Sequence, residues 1–224
     1  MKVLVVHNRY RDRGGEERAV ELQMAALERA GVEAELLAAD SQELGRAEAA
    51  RSLLRGGEAI DTRGADVVHV HNMHPRFGPR ALRSAREAGA RVVLHLHNFR
   101  LFCAIATCFR DGEPCFRCHG RNTLPGLALR CRGSLPESAV YAAALARHQP
   151  AVLDAVDRFV TPSHFAAELL DPLPREVHTF FADSAAGRAR GLAKAAVRRS
   201  LFRVSESAAE RAFTLHYACA CVPR

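Results

Sequence analysis

The sequence predicts an α/β domain: a parallel, Rossmann-like sheet with helices on both faces and an irregular cysteine-containing insert. Three observations carry that expectation. Short apolar runs rich in Val and Leu alternate with longer stretches whose apolar residues recur at helical spacing. Glycines close the helical stretches, as at Gly31 and Gly89. Three of the apolar runs end in the same dipeptide, His7-Asn8, His71-Asn72 and His97-Asn98.

Lys2–Val6 reads as a short buried strand, followed by a loop at Gly14-Gly15. A helix is expected from Glu16 to Ala30, with Val20, Met24 and Leu27 stepping down one face. Glu33–Leu37 is the second strand, and Ser41 caps a helix through Leu54 that ends at Gly56-Gly57. Asp66–His71 is the third strand, Phe77–Ala88 a helix, and Arg91–His97 the fourth strand. Residues 100–134 break the rhythm and hold five of the seven cysteines. Pro136–Val156 is a long Ala-rich helix, Arg158–Thr161 a strand, Ser163 the cap of a short helix to Leu170, and Val177–Phe181 a last strand. The expected domain therefore spans 1–183, with the insert at 100–134 and a basic Ala/Arg-rich tail at 184–224. The loss of pattern after Asp183 reads either as a non-native continuation or as a native helical tail.

The 224 residues are 48% apolar, lack Trp and carry a formal charge of +7. Residues 1–183 hold 24 Lys+Arg against 23 Asp+Glu, and 184–224 hold 8 against 2, so the charge belongs to the tail. A near-neutral body argues against nucleic acid as partner. The N-terminus lacks a signal-peptide pattern, and no apolar run approaches a membrane span, which makes a cytoplasmic location the expectation. The basic insert and tail leave peripheral membrane association open.

In a parallel sheet the ligand crevice lies at the carboxyl ends of the strands. His7, Asn8, His71, Asn72, His97 and Asn98 are thus candidate ligand-binding residues, the alternative being that each His bonds a nearby carbonyl. His69 and His95, two residues earlier on the same strands, read as structural. Gly14 and Gly15 open a helix whose free N–H groups could meet an anion, although Glu16 and Glu17 occupy the same turn. Cys103, Cys115, Cys118 and Cys131 follow a C-x11-C-x2-C-x12-C spacing. A structural zinc suits it, with a disulfide, an iron–sulfur cluster or unliganded thiols as alternatives.

The opening Met1–Tyr10, the Gly14–Glu17 loop, Asp66–Asn72, His95–Arg100 and Asp157–Ser163 together resemble the N-terminal domain of family 4 retaining glycosyltransferases, in a subgroup with a cysteine insert. The resemblance covers residues 1–180. It implies one half of a two-domain GT-B enzyme that binds a glycan or lipid-linked acceptor, with the nucleotide-sugar held mainly by a C-terminal donor domain. It implies His97 as the catalytic candidate, Arg100 and the glycine loop as substrate contacts, and no metal for transfer. The donor domain is absent from this sequence: Glu168 and Glu176 have the Glu-x7-Glu spacing, but Pro172 and Pro174 lie between them. The chain alone is expected to be inactive. A non-catalytic binding module, or one subunit of a two-chain transferase, is the alternative.

Overall fold

The computed structural model describes residues 1–10, 14–118, 121–162, 166 and 177–179, the last segment as backbone. The short helix expected at Ser163–Leu170 and the 184–224 tail lie outside these residues, apart from Ala166.

The α/β expectation holds. In chain order the elements are β1 (Lys2–Arg9), α1 (Gly15–Arg29), β2 (Glu33–Asp40), α2 (Arg46–Arg55), β3 (Val67–Val70), α3 (Pro79–Glu87), β4 (Arg91–His95), β5 (Phe109–Arg110), β6 (Glu113–Pro114), α4 (Leu124–Ala128), α5 (Leu135–Ala155), β7 (Arg158–Thr161) and β8 (Val177–Thr179). Six strands form one sheet in the order β2-β1-β3-β4-β7-β8, and every neighbouring pair is parallel.

The period-2 alternation of the strands assigns their faces. Leu4, Val6, Val68, Val70, Val92, Leu94 and Phe159 pack with Ala81, Leu82 and Ala85 of α3 and with Val152 and Ala155 of α5. Val3, Val5, Val67, Val93 and Val160 point the other way and pack with Val20, Ala26 and Leu27 of α1. Each buried Val or Leu contributes roughly 1.5–3 kcal/mol against an exposed one, so both aliphatic layers stabilise the sheet. The second layer is shorter, because its next positions along the strands are not aliphatic. They are His7, His69, His71, His95 and His97.

Two elements differ from the sequence reading. The helix expected over Ser41–Leu54 is a single 3-10 turn, Ser41–Glu43, followed by α2. Its cap is Asp40, whose carboxylate accepts from the Gln42 amide at 2.8 Å. Ser41 faces β1 instead and accepts from Asn8 Nδ2 at 2.6 Å. The insert expected to be irregular contains the β5–β6 hairpin and α4.

The break after α2 depends on Gly57. Its φ is +75°, and a Cβ there would lie 1.0 Å from the Phe77 carbonyl oxygen. Only glycine lets the segment entering α3 pass this closely.

Candidate functional site

His7, His69, His71, His95 and His97 share one face because each lies an even number of residues from its strand partners on that face. Four of them are buried: His7 at 1% exposure, His69 at 2%, His71 at 4% and His95 at 1%. The rings of His95 and His97 stack at 4.0 Å, those of His69 and His71 at 4.8 Å, and His71 lies 4.9 Å from His95. Gln23, fully buried on α1, sits over them. Its amide nitrogen is 2.7 Å from His69 Nδ1, and its carbonyl oxygen bonds His71 Nε2. A further 2.8 Å bond joins His71 Nδ1 to His97 Nε2.

Burial disfavours the charged form of His7, His71 and His97. Desolvation, reinforced by the neighbouring imidazoles, holds His71 well below its ordinary value. Desolvation also lowers His97 to about 3. His7 is lowered by burial too, against the opposing pull of Glu17. Glu17 Oε1 lies 3.4 Å from His7 Nε2.

The sequence-predicted ligand residues divide in two. Asn8 and Asn72 are buried and committed to the backbone. Asn72 Nδ2 donates to the Asn8 carbonyl, and Asn8 Oδ1 accepts from the Arg76 amide. The glycine loop is likewise filled by its own chain. The Gly14 amide donates to Glu17 Oε2 at 2.7 Å, and the Tyr10 amide donates to Glu17 Oε1 at 3.0 Å. An anion at Gly14-Gly15 would have to displace a carboxylate already placed at the positive end of α1.

His97, Asn98 and Arg100 reach an open site, whose lining also includes His71 and Asn72. They line a pocket at the carboxyl edge of the sheet, facing Tyr141, His148 and Gln149 of α5. Leu94, Leu101, Leu145 and Val152 form its apolar wall. Asn98 is fixed from behind: Nδ2 donates to Glu16 Oε1 at 3.1 Å and to Tyr10 Oη at 3.3 Å, and Oδ1 accepts from the Arg100 amide at 3.0 Å. Burial raises Glu16 to about 7 despite the bonds from Asn98 and Tyr10 and the charge of Arg100. Tyr10 is raised to about 12 by the same burial.

Sequence reasoning missed Gln23, Tyr141 and the α5 side of this pocket. Gln23 had a readable signal. It lies between Val20 and Leu27 on the apolar stripe of α1, where a polar side chain needs a polar partner in the sheet. The α5 residues had none, because only the tertiary fold brings 141–149 against 97–101.

The insert brings its cysteines into one region, where Cys103, Cys115 and Cys118 act on the Cys108 thiol, and Cys103 and Cys131 on the Cys118 thiol. Cys103 and Cys108 are buried and share a sulfur–sulfur hydrogen bond. That bond, with nearby backbone amides, lowers Cys103 to about 6, while the same bond and burial push Cys108 upward. Cys115, Cys118 and Cys131 are free thiols. Among the described residues, His69, His71 and His95 form a group whose ligand atoms lie within 4.8 Å of one another. No helix among the described residues is long and apolar enough to cross a membrane.

No family model matches the chain, and no curated protein matches it. Solved structures do align with it. A Mycobacterium smegmatis protein in complex with β-D-fucofuranose is 14% identical with a TM-score of 0.32, over 100% of this chain and 88% of the other. A carbohydrate transporter from Acidothermus cellulolyticus 11B in complex with myo-inositol is 12% identical with a TM-score of 0.30, over 97% and 87%. GanP, a glucose-galactose binding protein from Geobacillus stearothermophilus, is 12% identical with a TM-score of 0.31, over 100% and 94%.

These findings correct the family expectation. The motifs that resemble glycosyltransferase family 4 are matched by no family model, and none of the solved structures named here is described as a glycosyltransferase. In the glycine loop the Gly14 amide, which a donor phosphate would use, is taken by Glu17. Sugar transfer, a nucleotide-sugar donor and a GT-B half-enzyme are therefore set aside. At these scores the alignments assign neither a family nor a ligand.

Proposed function

We propose that the chain is a non-catalytic binding module for a small neutral polyhydroxylated ligand, of the carbohydrate or cyclitol class. The observation that supports this reading is the composition of the carboxyl-edge pocket. Its walls combine an apolar surface with planar hydrogen-bonding groups: the Asn98 and Gln149 amides, the His97 and His148 imidazoles, the Tyr141 phenol and the Arg100 guanidinium. Such a mixture suits a ring with one apolar face and a rim of hydroxyls.

The same lining argues for binding rather than turnover. None of the described residues lining the pocket is Asp or Glu. Burial holds His97 and His74, both in the lining, at about 3. Imidazoles that protonate only there are poorly matched to general acid–base work near neutral pH. They suit donation and acceptance of hydrogen bonds in the neutral form.

Titration calorimetry with D-glucose, D-galactose, myo-inositol and β-D-fucofuranose tests the reading. At least one should bind, and Asn98→Ala or Tyr141→Ala should weaken it by about tenfold, the worth of one net hydrogen bond or stacking contact. No binding to any of the four up to about 10 mM, where only contacts worth under ~3 kcal/mol would escape detection, sinks it. So does binding that both folded variants leave unchanged.

A further inference from the structure

His69, His71 and His95 each present one ring nitrogen within 4.8 Å of the other two, against Gln23 of α1, and His71 and His95 also line the carboxyl-edge pocket. We infer that they bind a zinc-class divalent ion, with the Gln23 carbonyl oxygen as the fourth ligand.

The local sequence builds the site. His69-Val70-His71 and His95-Leu96-His97 are two His-x-His pairs, and alternation along a strand puts both members of each pair on one face. Parallel pairing sets Val70 opposite Leu94 and His69 opposite Val93, so β3 and β4 carry their histidines in adjacent rows. Neighbouring strands lie about 4.8 Å apart, which brings imidazoles of the two rows within reach of a common point.

Tetrahedral zinc with Zn–N bonds of about 2.0–2.1 Å holds its ligand atoms roughly 3.4 Å apart. The observed spread exceeds this by little more than 1 Å, a gap that small side-chain rotations close. Gln23 already spans the two rings of β3: its nitrogen is 2.7 Å from His69 Nδ1, and its oxygen contacts His71 Nε2. The amide thus lies at the position that an ion bridging those two nitrogens would take. A modest rotation brings its oxygen into the coordination shell.

Three imidazoles and one carbonyl favour zinc, copper or nickel over magnesium or calcium, which prefer all-oxygen shells. The site is closed, since Gln23, His69, His71 and His95 are at most 4% exposed. A closed shell points to a staple between α1, β3 and β4 rather than to a catalytic ion with an open position. Glu17, whose Oε1 lies 3.4 Å from His7 Nε2 beside the cluster, supplies a nearby negative charge.

The test uses the untagged chain, loaded with Zn²⁺ and desalted. X-ray absorption should show imidazole nitrogens at about 2.0–2.1 Å from the retained ion. His95→Phe, which replaces a buried ring by an apolar one, should lose that shell and one equivalent of zinc while keeping its circular dichroism. Zinc at a hundredfold excess over its Kd should raise the wild-type Tm by about 5–10 °C. A shell of sulfur alone at about 2.3 Å, or no retained zinc, overturns the inference. A folded His95→Phe chain that keeps the nitrogen shell also overturns it. Should His95→Phe not fold, the wild-type shell decides alone.

Discussion

Asn8 and Asn72 hold each other's backbone. The Asn8 amide donates to the Asn72 carbonyl at 2.9 Å, and Asn72 Nδ2 donates to the Asn8 carbonyl at 2.8 Å. The pair closes the gap between β1 and the segment after β3, one step beyond the last ladder bond. Their side chains are therefore framework, although their position at the carboxyl edge resembles that of ligand contacts.

Asn72→Ala removes a buried donor and leaves the Asn8 carbonyl with one partner fewer. The expected loss is about 1–3 kcal/mol. Asn8→Ala strips bonds to Ser41 and Arg76 and falls in the same range. Because the two share a network, the double variant should cost less than the sum of the two. Urea unfolding of the three variants checks this.

Histidine burial predicts acid sensitivity. His7 and His71 sit below their ordinary value when folded, so the unfolded chain binds more protons once pH drops beneath about 6.5. Their contribution is fully present above that pH and declines as pH falls. Each ring that stays neutral in the fold adds about 1.4 kcal/mol per pH unit to the decline. Urea midpoints at pH 7, 6 and 5 should fall steeply, and His71→Phe should flatten the slope. An unchanged slope in that variant contradicts the assignment.

Glu16 acts in the opposite sense. Its carboxyl is raised to about 7 by burial, so the folded chain holds a proton that the unfolded chain has already lost. Stability from this group is present below about pH 4.5 and declines as pH rises toward 7. Glu16→Gln should therefore gain on the wild type between pH 5 and pH 8. Comparing the two chains at each pH cancels the histidine contribution. A constant difference across that range contradicts the shift.

Two glycines with positive φ should respond differently to alanine. At Gly57 the added Cβ meets the Phe77 carbonyl, and the backbone must move, so Gly57→Ala should cost more than about 4 kcal/mol or abolish folding. At Gly31, φ +67° with open space around it, only the left-handed strain remains. Gly31→Ala should cost about 1–2 kcal/mol. Soluble yield and urea midpoints separate the cases.

Much of the fold was legible because periodicity and glycine punctuation agree along the chain. Val3–Val6 and Val92–Leu94 lie where the apolar runs place them, and α5 passes through Pro150 as the Ala-rich pattern predicts. The helix after β2 was misread because Asp40 and Ser41 both suit a cap, and the deciding partner, Asn8, is 33 residues away. The site was half legible. His97 and Asn98 announce themselves at a strand end. Asn8 and Asn72 look alike in sequence but are spent on backbone, which only their long-range hydrogen bonds reveal. Tyr141 and Gln149 join the pocket through the packing of α5, which no local pattern encodes. The family resemblance rested on short motifs that also serve this fold's own hydrogen bonding, as the Gly14 to Glu17 contact shows.

The alternation of valine and histidine along β3 and β4 also bears on how the chain avoids misassembly. Valine-only strands can pair in several offsets with similar burial. Here a one-residue slip of β3 would turn His69 and His71 into the α3–α5 layer, among Leu82, Val152 and Phe159, with no polar partner. A two-residue slip would keep the faces but move the rings off Gln23. The imidazole rows thus penalise every shifted pairing more than the native one, and so encode the alignment of the sheet's centre.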